Sequence, residues 1–368
     1  MIDLDHAATT QPAQEVIDAM VRAMQTAWAN PSSPYAAAGD ARRELRLARR
    51  AIADVLDAEP EEIVFTSGGT EANNLAMATA AGGHAVVSSI EHASVLIAAR
   101  RWAREVTLVE PRPDGTVLPE DVAKAIRPDT RIISVMMANN ETGAIQPVAG
   151  IGALARLRRI PFHCDAVQAF GQIPVDVRAM GIDLLSLSGH KIYGPRGVGA
   201  LYVRQGTQLH PLIVGGGQEH GLRAGTEDVP AIAGLRAAVG LVAADMAPRA
   251  GRMRALLDGF IGDVRTRLPK VRLLCADAER LPGLCALMLP GLSAEAAIAQ
   301  LDLRGIAVSG GAACASAARE VSHVYRALGL SEREARRVIR VSIGRHTTEA
   351  ELGACAEALE AIEKGAAG

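Results

Sequence analysis

Short apolar runs alternate with helical stretches through the first two-thirds of this 368-residue chain. The runs have the length and composition of buried strands and lie at residues 63–65, 85–89, 105–109, 131–137, 160–164, 182–187 and 198–203. This alternation predicts an α/β fold in which helices cover both faces of a mostly parallel sheet. In such folds, ligands bind beyond the carboxyl ends of the strands.

The pattern changes in the last third of the chain, after a long helical stretch at residues 229–265. Further strand-like runs follow at residues 271–275, 284–289, 306–309 and 338–342. We interpret this part as a smaller α+β domain. The predicted division places residues 14–250 in the large domain, and residues 1–13 and 251–368 in the small domain.

Composition and charge argue against several classes of protein. The net charge of −2 gives no bias toward nucleic acid or a membrane surface. No apolar run approaches the roughly 20 residues that span a bilayer. The five cysteines form no C-x-x-C pair, which argues against a zinc site and a disulfide framework. Since the first residues also lack a signal-peptide pattern, we expect a cytoplasmic protein without a metal, a nucleic-acid partner or a membrane partner.

One lysine stands apart from the others. The chain has four lysines, and Lys191 alone follows a buried strand-like run and precedes a glycine-rich turn, in Ser186-Leu-Ser-Gly-His-Lys191. Ser188 and His190 flank it. A lysine at the end of a buried strand is placed to form a Schiff base with an aldehyde cofactor.

A glycine-rich turn, Thr66-Ser-Gly-Gly-Thr-Glu71, joins a predicted strand to a helix. Glycines let the backbone approach an anion, and a helix start offers unpaired N–H groups. A phosphate would fit at Gly69 and Thr70. The alternative is an ordinary strand-to-helix turn, and the turn lacks the Gly-Lys-Ser/Thr of a nucleotide-binding loop.

Asp165 follows the run at 160–164, where a carboxylate could hold a protonated pyridine nitrogen. Gln168 lies one helical turn further on. The alternative for Asp165 is a helix cap.

Three more residues are candidates for the same site. Asn140 could donate to a phenolate or a substrate carboxylate, and its alternative is a polar turn. His92 could stack on a planar ring, and its alternative is a surface or cap position. Arg340 could bind a substrate carboxylate with both arms of its guanidinium group, and its alternative is a solvated salt bridge.

Cys314 lies in a segment without bulky side chains, Ser309-Gly-Gly-Ala-Ala-Cys-Ala-Ser316. Its thiolate would be a nucleophile, and its alternative is a small buried core residue. Gly69 and Thr70 would form a phosphate cup, Asp165 would bind the pyridine nitrogen and His92 would stack on the ring. Together with Lys191 and Arg340, this set matches the needs of a pyridoxal-phosphate enzyme that acts on an amino acid.

The chain resembles the cysteine desulfurases, which belong to the class-V aminotransferase group of fold-type I pyridoxal-phosphate enzymes. The resemblance runs nearly from end to end and rests on the motifs at residues 5–10, 30–33, 66–74, 91–92, 139–143, 163–168, 186–194, 215–226 and 340–345. The most specific are Ser-x-Ser-Gly-His-Lys and Arg-x-Gly-Thr. The cysteine that separates desulfurases from their aminotransferase relatives is here Cys314.

The resemblance implies removal of sulfur from L-cysteine, giving L-alanine and a persulfide on Cys314 for a sulfur acceptor or an iron–sulfur scaffold protein. It also implies a role for each site residue. Lys191 binds pyridoxal 5'-phosphate and moves the α-proton, and His92 stacks on the ring and acts as an acid–base. The phosphate is held by Gly69, Thr70, Ser188 and His190, the pyridine nitrogen by Asp165, and the ring oxygen by Gln168 and Asn140.

The remaining roles concern the substrate and a second subunit. Arg340 and Asn140 would bind the cysteine carboxylate. Thr226 would reach the phosphate of the partner subunit, which implies a homodimer.

The chain departs from the family pattern at several positions. Gly310 and Ala312 replace loop serines, and the other changes are Tyr35, His220 and Ala224. Two alternatives stay open: a class-V aminotransferase or lyase with an incidental Cys314, and a non-catalytic protein on the same fold. The carboxyl end stops soon after the last predicted helix, whereas relatives that dock a scaffold often extend further.

Overall fold

The computed structural model describes residues 1–311 and 321–367. Its strands are β1 (Ile2–Asp3), β2 (Ile63–Thr66), β3 (His84–Ser88), β4 (Glu105–Val109), β5 (Thr130–Ser134), β6 (Phe162–Asp165), β7 (Leu184–Ser188), β8 (Gly199–Val203), β9 (Arg272–Leu273), β10 (Leu284–Met288), β11 (Ile306–Ala307) and β12 (Val338–Ser342).

The longer helices alternate with these strands and then close the chain. They are α1 (Gln14–Thr26), α2 (Gly39–Leu56), α3 (Gly69–Met77), α4 (Ala93–Trp102), α5 (Pro119–Ala125), α6 (Val148–Arg158), α7 (Val229–Ala244), α8 (Met246–Arg267), α9 (Ala294–Asp302), α10 (His323–Ala327), α11 (Glu332–Ala335) and α12 (Glu349–Ala367).

Of the strands that the structure describes, seven form the large sheet, in the order β2-β8-β7-β6-β5-β3-β4. β8 is antiparallel to both of its neighbours, and the other pairs are parallel. Every residue of β3, β7 and β8 is buried, as expected of strands covered on both faces. The prediction of an α/β fold with a mostly parallel sheet is confirmed.

The helical stretch predicted at 229–265 is present as two helices, α7 and α8, with a bend of 71° between them. Asp245 leaves the helical conformation at the break, with φ −129° and ψ 18°. Pro248 follows three residues later; it lacks an N–H donor, and its ring would clash with the carbonyl of Ala244 in a continuous helix. No single helix among the described residues is long and apolar enough to span a bilayer. Only this bent pair, taken together, reaches that length and composition.

The carboxyl-terminal part contains a three-stranded antiparallel sheet in the order β12-β10-β9. β9 is shorter than the predicted run at 271–275, because Cys275 takes a left-handed conformation with φ 51° and ends the strand. α12 starts with a capping box, in which Thr348 and Glu351 each accept the other's backbone N–H.

A hydrophobic cluster separate from the main core lies between this sheet and helices α8, α9 and α12. Leu4 belongs to it, and its backbone oxygen accepts a hydrogen bond from Ser342 N. The predicted domain boundary at 250/251 falls inside α8, and the division into two domains stays a prediction.

Residues 5–10 form a segment, here called the amino-terminal strap, that runs from the small sheet to the end of β7. At one end, Ala7 N donates to Ser342 Oγ at 2.9 Å. At the other end, Thr10 N and Oγ1 both donate to His190 O, at 2.9 and 2.8 Å. The strap therefore joins the two sheets across the carboxyl edge of the large one.

A buried histidine links three strands of the large sheet and makes stability depend on pH. The His163 ring lies between Ser134 Oγ and Ser186 Oγ at 2.8 and 3.0 Å. Burial lowers the pKa of His163 from 6.5 to about 4. The unfolded chain therefore binds a proton more tightly, and stability is lost as the pH falls from 6.5 toward 4.

We expect His163→Gln to remove this part of the pH dependence. Between pH 7 and pH 4, the free energy of unfolding of the wild type should fall by about 3 kcal/mol more than that of the variant. Urea denaturation at both pH values measures the difference. Equal pH dependence in the two proteins would contradict a neutral, buried His163.

Candidate active site

A cleft of about 450 Å³ opens at the carboxyl edge of the large sheet. Its volume falls within the usual range of small-ligand sites. Ten of the predicted site residues line it, namely Gly69, Thr70, His92, Asn140, Asp165, Gln168, Ser188, His190, Lys191 and Arg340. The structure thus brings together side chains that are up to 271 positions apart, the separation of Gly69 and Arg340.

Lys191 follows β7 through one turn of 3₁₀ helix and directs its amine toward the strap. Its Nζ donates to Ala7 O at 2.6 Å and to Ala8 O at 2.7 Å. Two backbone carbonyls therefore fix the amine at the cleft wall. The sequence did not predict this role of the strap, because every residue has a backbone carbonyl and no side chain identifies the ones that bind Lys191.

Asp165 ends β6 and is 5% exposed. Its Oδ2 accepts from Asn73 Nδ2 at 2.7 Å, and its Oδ1 accepts from Val167 N at 2.9 Å. The second bond closes the turn after β6, and the first connects Asp165 to α3. Residues 166–183 contain no helix, so Asp165 is not the helix cap of the alternative interpretation, and its carboxylate lines the cleft.

Asn73 is a site residue without a predicted role, although it lies in the motif at 66–74. It is 1% exposed, and its Nδ2 also donates to Ser94 Oγ at 2.9 Å. Its Oδ1 is buried without a hydrogen-bond partner among the described residues. Asn73 therefore orients the Asp165 carboxylate from the side of α3 and keeps one acceptor unused.

His92 caps α4, and its Nδ1 accepts from Ser94 N at 3.1 Å. A ring nitrogen that accepts from a backbone N–H carries no proton, so the neutral ring has its hydrogen on Nε2. Burial lowers the pKa of His92, and the nearby Lys191 lowers it further against the opposing effect of Asp165. His92 both caps a helix and lines the cleft, which joins the two interpretations of the sequence.

Glu91 lies behind His92 and is fully buried. Its Oε1 accepts from Met136 N at 2.6 Å. Burial raises the pKa of Glu91 well above its usual value, and the negative charge of Asp165 adds to the shift. Burial therefore favours a neutral Glu91 next to the Asp165 carboxylate, a feature that the Glu-His pair in the sequence did not reveal.

The predicted phosphate cup has the geometry of an anion site at the start of α3. Gly68 precedes the helix with φ 149°, and it supplies no side chain to cap the first N–H groups. A Cβ at Gly69 would lie 2.8 Å from Val167 Cγ2, so only glycine fits between α3 and the loop after β6. The free N–H groups and the positive end of the helix suit a phosphate.

The opposite wall of the cup comes from the turn after β7. His190 hydrogen-bonds to Thr9 Oγ1 through Nδ1 at 3.1 Å. Burial lowers its pKa to about 4, helped by the charges of Lys191 and Arg196, so the ring is neutral near pH 7. Arg196 also lines the cleft and is a cation that sequence reasoning missed.

Arg340 lies in the middle of β12 and is 2% exposed. Its Nη2 donates to Asp5 Oδ1 at 2.6 Å, and its Nη1 donates to Asn140 O at 2.8 Å. Its Nε is buried without a hydrogen-bond partner among the described residues. Arg340 is thus a buried ion-pair partner of Asp5, not the solvated one that the alternative predicted.

Two predicted site residues are not seen at the cleft. Thr226 is exposed, in a segment that an Arg223–Glu71 ion pair joins to α3. Cys314 lies outside the described residues. Their roles stay predictions.

Comparison with known proteins agrees with this geometry. The family model "Aminotransferase class-V" matches residues 2–354. Cysteine desulfurase IscS of Dictyoglomus turgidum is 41% identical over 98% of this chain and 93% of its own length. The chain belongs to the cysteine desulfurases of the class-V aminotransferase family. Enzymes of this family depend on pyridoxal phosphate.

Further relatives and solved structures match over nearly the whole chain. IscS of Methanosarcina thermophila is 40% identical over 98% of this chain and 91% of its own. A NifS-like protein of Rickettsia africae superposes with a TM-score of 0.92 at 33% identity, covering 99% of both chains. SspA in complex with cysteine superposes with a TM-score of 0.83 at 37% identity, covering 95% of this chain and all of its own.

The four described cysteines predict a selective thiol reaction. Burial raises the pKa of Cys164 well above its usual value, that of Cys275 to about 11, and those of Cys285 and Cys355 to about 12. At pH 8, iodoacetamide should therefore modify the folded protein at Cys314 and leave these four thiols intact, because the thiolate is the reactive form. Peptide mass spectrometry reads the sites, and the urea-unfolded protein, with all five thiols modified, is the control. Rapid modification of a second cysteine in the folded protein would contradict the burial pattern.

Asp165→Asn should leave the fold intact and reduce the turnover of L-cysteine by several orders of magnitude, since the carboxylate that we expect to pair with the pyridine nitrogen of the cofactor is lost. Asn73→Ala is the matched comparison. It removes one donor to Asp165 but keeps the charge, so its loss should be much smaller. Alanine release measures both. Near-normal turnover by a folded Asp165→Asn protein would rule out this role.

Proposed function

We propose that this cleft removes the sulfur atom from L-cysteine and that Cys314 receives it as a persulfide. L-Alanine is the second product. The observation that carries the proposal is the convergence of the Lys191 amine, the Asp165 carboxylate and the His92 ring on one cleft. The similarity to IscS over 98% of the chain supports the same chemistry.

The donors and acceptors of the cleft fit pyridoxal 5'-phosphate as the cofactor. Its phosphate would be held by the start of α3 with Gly69, Thr70, Ser188 and His190, its pyridine nitrogen by Asp165, and its ring oxygen by Gln168 and Asn140. When bound, the cofactor supplies an electron sink for bonds broken next to the α-carbon. His92 would lie against the ring.

Lys191 has two tasks in this proposal. Its Nζ binds the cofactor aldehyde and later moves the proton of the substrate α-carbon. The carbonyls of Ala7 and Ala8 hold the charged amine at the cleft in the meantime. His92, with its hydrogen on Nε2, is placed to give or take a second proton.

Arg340 and Asn140 bind the carboxylate of L-cysteine. Arg340 is pre-oriented by Asp5 and by the Asn140 carbonyl, so little side-chain entropy is lost when the substrate arrives. The buried Nε adds a donor that needs an acceptor. A charge-assisted hydrogen bond from a guanidinium group to a carboxylate satisfies both groups.

Cys314 completes the reaction as a thiolate. A bond forms between its sulfur and the substrate sulfur while the bond from that sulfur to the β-carbon breaks. The electron pair of the broken bond passes to the substrate carbon, which takes up a proton, and alanine is released. Cys314 keeps the transferred sulfur as a persulfide until an acceptor thiol removes it.

A second copy of the chain is part of the proposal. The segment that leads to Thr226 is fixed by Glu219, which pairs with Arg49 through two hydrogen bonds of 2.9 and 2.6 Å and accepts from Phe65 N. Thr226 itself is exposed, which suits a contact with the phosphate of a partner subunit. A homodimer in the cytoplasm, supplying iron–sulfur cluster assembly or another sulfur acceptor, is the setting that we infer.

Cys314→Ala should separate this function from that of an aminotransferase or a lyase. The variant should bind pyridoxal phosphate and L-cysteine, because the described cleft is unchanged, but it should release no alanine. Mass spectrometry after limited L-cysteine should find one added sulfur atom on Cys314 of the wild type. Alanine should be assayed in parallel.

Cys355→Ala is the matched control, because Cys355 is fully buried in α12 away from the cleft. It should retain persulfide formation. Full alanine production by Cys314→Ala would move the protein to the lyase or aminotransferase class. Loss of cofactor binding by this variant would instead give Cys314 a structural role in the cleft.

A further inference from the structure

A buried carboxyl group contacts both described ends of the segment that carries Cys314. Glu141 is 1% exposed and directly follows Asn140. On the amino-terminal side, a Cβ at Gly311 would lie 2.7 Å from Glu141 Oε2 and 3.2 Å from Tyr325 Oη. Gly311 also has φ +114°, so glycine is required both for the backbone and for the space.

The carboxyl-terminal end reaches the same group. Burial raises the pKa of Glu141, whereas hydrogen bonding from Ser322 and the charges of His323 and Arg340 lower it. Tyr325 is fully buried beside it, and burial and the Glu141 carboxylate raise the pKa of its hydroxyl well above the usual value. Four groups from two elements thus face the Glu141 carboxyl: Ser322, His323, Tyr325 and Arg340.

This polar cluster has unused hydrogen-bonding capacity. Glu141 Oε2 and Tyr325 Oη are both buried, and neither makes a well-aligned hydrogen bond within residues 1–311 and 321–367. Burying a carboxyl group costs free energy that hydrogen bonds only partly offset, so a purely structural position would favour an apolar side chain. The cost points to a role for the carboxyl group other than stability.

The two ends are also joined to the substrate side of the cleft. Ser309 and Arg340 exchange backbone hydrogen bonds, at 3.2 Å from Ser309 N and 2.6 Å from Arg340 N. His323 Nε2 lies 2.9 Å from the carbonyl oxygen of Glu91, the residue before His92. Glu141 is therefore in contact with the ends of the segment and adjacent to the residues that we assign to the carboxylate of the substrate.

We propose that Glu141 is a positioning residue for sulfur transfer: its carboxyl group holds Gly311 and Ser322 in register with Arg340. This inference rests on the proposed role of Cys314. It assigns Glu141 no contact with the reacting sulfur. Its role is to fix the positions of Gly311 and Ser322, which lie on either side of the segment that carries Cys314.

The test compares Glu141→Ala with Glu141→Gln. Both remove the ionisable carboxyl group, but glutamine keeps a hydrogen-bonding group of the same size, so the pair separates positioning from electrostatics. Glu363→Gln is the matched control: Glu363 is another buried carboxylate, and it accepts from Gly291 N and Leu292 N far from the cleft. The first measurement is the rate of iodoacetamide modification at Cys314 in the absence of substrate.

We expect Glu141→Ala to change the modification rate of Cys314 by about ten- to a hundredfold, the range expected when a buried polar contact is removed. The rate of persulfide formation should fall in the same variant, with little change in the KM for L-cysteine. Glu141→Gln should keep most of both rates, and Glu363→Gln should equal the wild type.

Equal effects of the alanine and glutamine substitutions would overturn positioning in favour of charge, and unchanged rates in a folded Glu141→Ala protein would overturn the proposal entirely. If Glu141→Ala does not fold, Tyr325→Phe tests the same cluster, because phenylalanine keeps the core volume. An unchanged modification rate of Cys314 in Tyr325→Phe would also overturn the proposal. A wild type that forms no persulfide would refute the proposed function but not the positioning role of Glu141. The iodoacetamide modification rates would still show whether Glu141 affects the segment between Gly311 and Ser322.

Discussion

Lys191 and Arg340, two cations of the cleft, are held by the amino-terminal strap, and the rest of the site depends on that contact. Asp5 pairs with Arg340, and the carbonyls of Ala7 and Ala8 bind Lys191. Two cations removed from water would otherwise carry a large desolvation penalty. Because the strap is anchored to Ser342 and His190 as well, its position fixes the distance between the lysine and the arginine.

Burial favours the neutral forms of two histidines of the cleft and of the glutamate behind it. Burial lowers the pKa values of His92 and His190 and raises that of Glu91. Among the described residues, Asp165 and Glu71 are the two carboxylates that line the cleft, and Lys191, Arg196 and Arg340 are its cations. A sparse set of charges in a poorly solvated cleft strengthens each of them, which suits a site that must stabilise charge developing on its ligand.

The sequence predicted the sheet, most strand positions and the side chains of the cleft, because apolar periodicity and strand-end motifs are local signals. It did not reveal the ion pair of Asp5 and Arg340, which brings residues 335 positions apart into contact. The pairing of Asn73 with Asp165 was missed for the same reason. The break between α7 and α8 could have been predicted, since Pro248 stands three residues after the first non-helical position.

α8 is a helix of 22 residues, about 33 Å long, and it crosses the predicted domain boundary. One unbroken helix therefore connects the two sides of the predicted boundary, and the chain changes direction by 71° at its amino-terminal end. Arg340 and Ser309 share two backbone hydrogen bonds. The arginine that we assign to the substrate carboxylate therefore cannot change its position without also displacing the chain two residues before Gly311.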